Sequence, residues 1–258
     1  MEILVLGSGT SHGVPMIGCD CAVCRSDDPR NRRFRPSIAV FGPTGTILVD
    51  TTPELRLQAL TFGLRRVDAV LITHTHADHI FGMDDLRRFN DLWDIEIPVY
   101  GDAQTLEDIR RIYRYIFIQT QMGGGKPRLA LHEVEPAFEL CGLRVESFYV
   151  MHGKLPVLSY RFTDPTTGRS AAYVTDVSSI PPDAMERLRG LDLLLLDAVR
   201  YEPHPTHFGL YQALDVIGEL KPARALLTHL SHHFDHATAN TETPDHVELS
   251  YDGQRIVV

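Results

Sequence analysis

The chain has 258 residues, 43% apolar and 23% charged, with 25 Lys plus Arg against 34 Asp plus Glu and so a formal net charge of −9. These proportions exclude collagen-like, coiled-coil and disordered classes and allow a sizeable core without disulfide staples. The acidic balance argues against nucleic acid as the main partner, because duplex binders carry a basic footprint.

Short apolar runs rich in β-branched residues alternate with helical patterns along the chain. Ile3–Leu6, Ile38–Phe41 and Ile47–Val49 read as strands, with Gly-Pro-Thr-Gly at 42–45 as a hairpin turn. Pro53–Phe62 reads as a helix closed by Gly63, and Val67–Thr73 as a buried strand. Ile80–Leu92 reads as helical, and Gln104–Phe117 as an amphipathic helix with Leu106, Ile109, Ile112, Tyr113, Ile116 and Phe117 on one side. Gln-Met-Gly-Gly-Gly-Lys-Pro at 121–127 reads as a flexible loop. Leu143–Met151, Val157–Phe162, Ala171–Thr175, Leu191–Asp197 and Ala225–Thr228 read as strands, separated by helices at Pro181–Leu188 and Leu210–Leu220. Val247–Leu249 and Arg255–Val258 close the chain. Interspersed strands and helices without a repeat predict one α/β domain over 1–258. No stretch nears the ~20 consecutive apolar residues of a membrane span. The opening Met-Glu-Ile-Leu-Val-Leu-Gly has no basic segment ahead of an apolar run, so no signal peptide, no membrane partner and a cytoplasmic location are expected.

Thirteen histidines are many for this length and first suggest metal. The strongest local signal is Thr73-His74-Thr75-His76-Ala77-Asp78-His79, directly after the buried run Ala69–Ile72. Histidines two apart on an extended segment face one side. Imidazole nitrogen and carboxylate oxygen suit Zn²⁺, Mn²⁺ or Fe²⁺, and four potential ligands in six residues exceed what one ion takes from one loop. Two ions side by side are the expectation. Further candidate ligands stand singly at strand ends: His152 after Val145–Met151, Asp176 after Ala171–Thr175, and His229 after Ala225–Thr228.

The pattern His74-x-His76-x-Asp78-His79, followed by His152, Asp176 and His229, resembles the metallo-β-lactamase superfamily over nearly the whole chain. The resemblance implies a four-layer αββα sandwich with the site on its rim. It implies that His74, His76 and His152 hold one metal, that Asp78, His79 and His229 hold a second, and that Asp176 bridges them, with Asp78 also counted as catalytic. The active-site ions implied are Mn or Zn.

Cys19, Cys21 and Cys24 lie in the loop after the first strand, offering three thiolates, one short of a tetrahedral zinc site. The fourth ligand must come from elsewhere, and His232 lies three residues beyond His229. A redox role is the weaker reading, because the spacing is not Cys-x-x-Cys at a helix start. This cluster, with Leu6-Gly-Ser-Gly-Thr-Ser-His-Gly-Val-Pro15, Leu-Thr-His-Leu-Ser-His-His-Phe-Asp at 227–235 and Tyr251-Asp-Gly253, is similar to the phosphoribosyl cyclic phosphodiesterase branch of bacterial phosphonate breakdown. That resemblance implies a structural zinc on Cys19, Cys21, Cys24 and His232, and a homodimer. It implies hydrolysis of a small phosphorylated substrate, 5-phosphoribosyl 1,2-cyclic phosphate, to ribose 1,5-bisphosphate.

His207, in Pro205-Thr206-His207-Phe208-Gly209, matches the family's non-ligand active-site histidine and is the candidate acid, since imidazole transfers protons near neutral pH. Lys154, Arg200 and His12 are the candidates for binding substrate, with Lys126 a weaker one. Between Phe89 and Glu135 the chain departs from the branch. Its helix and Gly-rich loop read as an insert over roughly 89–135 near the site. The same metal set serves other chemistry, so a tRNA 3′-processing-type endonuclease and a thioester or lactone hydrolase are alternatives, and a non-catalytic metal-binding module is one of another class.

Overall fold

Two seven-stranded sheets lie face to face, each covered by helices on its outer side. The structure, a computed structural model, describes residues 1–119 and 125–258. Strands β1 (Glu2–Gly7), β2 (Ser37–Phe41) and β3 (Thr46–Val49) form an antiparallel meander. Helix α1 (Leu55–Phe62) leads to β4 (Ala69–Leu71). Then come α2 (Ala77–Ile80), α3 (Leu86–Trp93), β5 (Ile97–Gly101), α4 (Ala103–Ile112), α5 (Arg114–Phe117) and β6 (Leu129–Glu133). The second sheet follows as β7 (Ala137–Leu140), β8 (Leu143–His152), β9 (Leu155–Thr163), β10 (Ser170–Val174), α6 (Pro182–Arg187), β11 (Leu193–Asp197), α7 (Leu210–Leu220), β12 (Arg224–Thr228), α8 (His236–Asn240) and β13 (Val247–Leu249). Strand β14 (Arg255–Val257) returns to the first sheet beside β1.

The sheet orders are β14-β1-β2-β3-β4-β5-β6 and β13-β12-β11-β10-β9-β8-β7. Strands β3 to β6 are parallel, as are β10 to β13, while the remaining pairs are antiparallel. Parallel strands buried on both faces read as continuous apolar runs, and Leu193–Leu196 is one. Successive side chains of β1 serve different layers. Ile3 and Val5 face the second sheet and meet the layer of Leu158, Tyr160 and Leu195. Leu4 and Leu6 face outward and pack with Leu55, Phe89 and Ile109 of the covering helices. On the far side Val174, Leu194 and Leu196 meet Ala184, Ala213 and Ile217 of α6 and α7. These three apolar layers make the αββα sandwich.

Most predicted elements form within a residue or two. The helix predicted over 80–92 is instead broken into α2, a 3₁₀ turn at Met83–Asp85, and α3. The break falls at Gly82, where any Cβ would overlap the Thr52 carbonyl oxygen. The helix predicted over 104–117 splits at Tyr113, whose hydroxyl donates to the Ile80 carbonyl at 2.7 Å instead of continuing a helical face. Strands β5, β6 and β7 were not expected. Pro98 and Gly101 mask β5, since both residues are unusual inside a strand. The stretch 89–135 therefore contains β5 and β6, the outer edge of the first sheet, as well as α4 and α5. Of the predicted loop at 121–127, residues 121–124 lie outside the described residues.

Gly82 brings the chain from α2 into contact with the strand-end segment 51–52, where its N–H donates to Thr51 at 2.8 Å. Gly82→Ala should therefore lower stability by about 3 kcal/mol, or about 8 °C in Tm, through overpacking. Thermal unfolding followed by circular dichroism checks this, and an unchanged Tm would contradict the close approach.

Candidate metal centre

Strand ends on one rim deliver the candidate ligands. Beyond β4 the chain presents His74 and His76, then Asp78 and His79 in α2. Strand β8 ends on His152, Asp176 lies just beyond β10, and His229 follows β12. The ligand atoms of His74, His76 and His152 all lie within 4.8 Å of one another. The same holds for His74, His79 and Asp176, and for His152, Asp176 and His207. Asp78 and His229 join pairwise: Asp78 Oδ2 is 3.3 Å from His79 Nε2, and His229 Nδ1 is 3.4 Å from Asp176 Oδ2. The seven residues expected as active-site ligands thus converge.

Three imidazoles are held by Nδ1, which leaves Nε2 for the shared space. His79 Nδ1 lies 2.7 Å from Asp50 Oδ2, His152 Nδ1 donates to the Thr206 carbonyl at 2.7 Å, and His74 Nδ1 lies 3.0 Å from Thr73 Oγ1. Asp50 is fixed in turn by the N–H and hydroxyl of Thr73 at 2.8 and 2.9 Å. Such outer partners set the tautomer and aim of a ligating histidine. His229 differs, turning Nδ1 toward Asp176. The Nε2 atom of His74 is buried without a hydrogen-bond partner, whereas that of His79 faces Asp78 and Asp176 at 3.3 and 3.2 Å. Buried polar atoms ordinarily have a partner.

Burial opposes a charge on His79, yet Asp176, Asp78 and Asp50 together hold its imidazolium well above the usual histidine range. Burial likewise opposes ionisation of Asp176, but His229 and His79 keep it well below the usual carboxylate range. His74 has burial as its dominant influence and is pushed down, toward the neutral form that ligates. The orphaned His74 nitrogen and the excess of buried carboxylates around a single imidazolium are the donor set of a divalent cation, which would take over the charge His79 carries, and the residues present fit one.

His207 stands against this group, its ring centroid 4.6 Å from that of His152 and 4.8 Å from that of His229. Its Nδ1 is 2.8 Å from Asp197 Oδ2, so Nε2 is the atom left to face a substrate. Burial pushes Asp197 up to about 8 and His207 below its usual range. The pair therefore carries no net charge near neutrality. Its proton lies between Oδ2 and Nδ1, giving either acid and imidazole or carboxylate and imidazolium. Asp50 and Asp197 escaped the sequence reading. Each closes an apolar run, Ile47–Val49 and Leu193–Leu196, the same placement that singled out Asp176.

The candidate substrate contacts are more dispersed. Lys154 is exposed on the turn between β8 and β9, two residues past His152. His12 is exposed on the turn after β1. Arg200 donates to the carbonyls of Glu202 and Pro203 at 3.3 and 2.6 Å, and Lys126 to that of Ile118 at 2.7 Å.

The second cluster also assembles. His232 Nδ1 lies 3.3, 3.4 and 3.8 Å from the Sγ atoms of Cys19, Cys21 and Cys24. Sulfur and nitrogen ligands of one tetrahedral zinc are about 3.5 Å apart. The Cys24 N–H leads the groups that lower the Cys21 thiol to about 6, so a thiolate is present at neutral pH. Buried Arg33 donates to the carbonyls of Ser231 and Phe234 at 2.8 Å each. Its backbone also pairs with Val14. One guanidinium thus fastens the cysteine-bearing loop to the segment carrying His229 and His232.

Comparison with known proteins bears on the family and the fold. Residues 45–230 match the beta-lactamase superfamily domain. A crystal structure described as a new diphosphatase from the PhnP family superposes with a TM-score of 0.90 at 42% identity, covering 99% of this chain and 96% of that one. Zn²⁺-bound PqqB from Methylobacterium extorquens superposes with a TM-score of 0.81 over the full length of both chains, but at 18% identity this shows the fold alone. A Porphyromonas gingivalis protein named octanoyltransferase is 39% identical over 100% of this chain and 52% of its own length, so this chain spans about half of that relative. The chain belongs to the beta-lactamase superfamily, in its PhnP-like branch. Among the described residues no helix is long and apolar enough to cross a membrane.

Asp50 touches the metal group only through His79. Asp50→Asn should weaken divalent metal binding about 10- to 100-fold, the usual cost of losing such an outer carboxylate. Competition with a chromogenic chelator measures this, and unchanged affinity would remove Asp50 from the site.

Proposed function

We propose that this chain hydrolyses a small phosphorylated molecule in which phosphorus carries two oxygen substituents, and that its substrate is 5-phosphoribosyl 1,2-cyclic phosphate, opened to ribose 1,5-bisphosphate. The observation that carries the reading is His207, backed by Asp197, standing against His152 and Asp176 where a leaving oxygen would need a proton. In this reading His74, His76 and His152 hold one divalent ion, Asp78, His79 and His229 a second, and Asp176 is shared, with Mn²⁺ or Zn²⁺ as the metal. Two such ions supply Lewis acidity at a phosphoryl oxygen and a more acidic water. Cys19, Cys21, Cys24 and His232 hold a structural zinc with no open position.

The chain's own residues complete the chemistry. His207 gives its Nε2 proton to the departing alkoxide, and Asp197 holds the ring and stabilises the imidazolium between turnovers. Lys154 and His12, on turns with exposed side chains, hold the substrate's remaining phosphate. Arg200, already bonded to the 202–203 carbonyls, acts by shaping the loop that carries His207. A tRNA substrate is disfavoured by the net charge of −9, which offers no general attraction to RNA. The octanoyltransferase name belongs to a protein about twice as long, and acyl transfer is not carried over. A second reading, cleavage of a diphosphate, is favoured by the 42%-identical relative described as a diphosphatase. Both reactions break a P–O bond before the same groups. The homodimer implied by the branch belongs to this reading and is open to sedimentation.

A ³¹P NMR time course with Mn²⁺-loaded protein decides between the two. The cyclic diester signal should give way to a second phosphomonoester, with no change in an Asp176→Ala control. His207→Ala should retain metal and lose about 10²- to 10⁴-fold in kcat. Turnover of a nucleoside diphosphate with an inert cyclic diester would establish the second reading. Inertness toward both, with metal content confirmed, would overturn the phosphohydrolase assignment.

A further inference from the structure

On the outer face of the first sheet, α1 and α3 flank a groove of about 620 Å³. None of its lining residues belongs to the metal group or the cysteine cluster. Beneath it lie Leu55, Leu64 and Phe89 of the outer core layer, almost wholly buried, and its open walls mix apolar and polar groups. Its rim carries Leu60 and Leu92, which are 67% and 45% exposed. Single exposed leucines are ordinary, but here two face one cleft from opposite helices, Leu60 on α1 and Leu92 on α3.

The charge around this cleft opposes that of the whole chain. Four arginines, Arg56, Arg65, Arg87 and Arg88, line it against one carboxylate, Asp85, in a protein of net charge −9. Arg87 leans on Asp84 at 3.3 Å. Among the described residues Arg56, Arg65 and Arg88 make no ion pair and are exposed. The neighbouring Arg66 differs, since it pairs with Asp68 and covers the Trp93 ring. That ring is therefore unavailable for stacking on a nucleic-acid base. A flat membrane surface would not fill a concave cleft, and a second copy of this acidic chain supplies no special match. Helices lay an apolar stripe into such a groove and place their flanking charges on its rim.

We propose that the groove between α1 and α3 docks an acidic amphipathic helix of a partner protein, its leucine-like side chains between Leu60 and Leu92 and its carboxylates on Arg56, Arg65 and Arg88. The occupant is defined by charge complementarity and shape together, and each can be removed separately. Arg56→Glu with Arg88→Glu reverses the rim. Ala59→Trp fills the cleft without changing charge.

The test is fluorescence anisotropy of a labelled helical peptide with leucines at i, i+3, i+4 and i+7 and glutamates elsewhere, against the metal-loaded full chain. Saturable binding that weakens with salt is expected, together with a loss of at least about tenfold in both the rim-reversed and the cleft-filled protein. Hydrolytic activity and thermal unfolding should stay as in the parent. A counterpart peptide with lysines in place of glutamates should not bind. Binding that survives either substitution would overturn the proposal. So would preferential binding to anionic phosphatidylserine vesicles, or a change of oligomeric state on reversing the rim.

Discussion

Three carboxylates, Asp50, Asp78 and Asp176, lie buried around one imidazole, that of His79. Ionised groups are costly to hold away from water unless an opposite charge comes with them. Here His79 bears that charge, with one ring nitrogen 2.7 Å from Asp50 and the other about equally near Asp78 and Asp176. The rest of the rim is arranged around this concentration of negative charge. His74 and His229 approach it as neutral-leaning bases, His152 closes the group at the end of β8, and His207 stands one ring further out. A divalent cation answers the same electrostatic demand with more charge in less space.

The sandwich makes this arrangement possible by letting distant parts of the chain finish at one place. β3 and β4 are parallel to each other in one sheet, and β10, β11 and β12 in the other. Parallel neighbours end at the same edge, so Asp50, Thr73, Asp176, Asp197 and His229 arrive together although nearly 180 positions separate the first from the last. The antiparallel hairpin of β8 and β9 then brings His152 to the same rim. The burial of three apolar layers secures these strand ends, and the polar groups need supply only the final aim.

Much of this was legible in the residues. His74 to His79, His152, Asp176 and His229 all carry the same mark, a polar residue after an apolar run, and the cysteine cluster announces itself by spacing. Asp50 and Asp197 carry the mark too, but they act through a histidine, and a single carboxylate gives no sign of which imidazole it will meet. The broken helices were illegible for another reason. Gly82 and Tyr113 interrupt helical patterns because of the Thr52 and Ile80 carbonyls, which belong to segments that meet them only in the folded chain. Periodicity registers neighbours in sequence and is blind to those contacts. Arg33, which reads as one surface cation among many, is buried for the same reason.

Asp50, Asp176 and His229 share a backbone conformation as well as a rim, with φ of 63°, 56° and 60°. That left-handed region suits glycine and, among side-chain-bearing residues, the short polar types Asn, Asp and His. Glycine has no donor atom, and asparagine keeps the shape while surrendering the charge. Glutamate retains the charge but lacks the short side chain that tolerates this turn of the chain. At these three corners conformation and chemistry therefore screen the amino acids independently, and very few pass both. The rim can change its surrounding loops far more freely than it can change the letters at those corners.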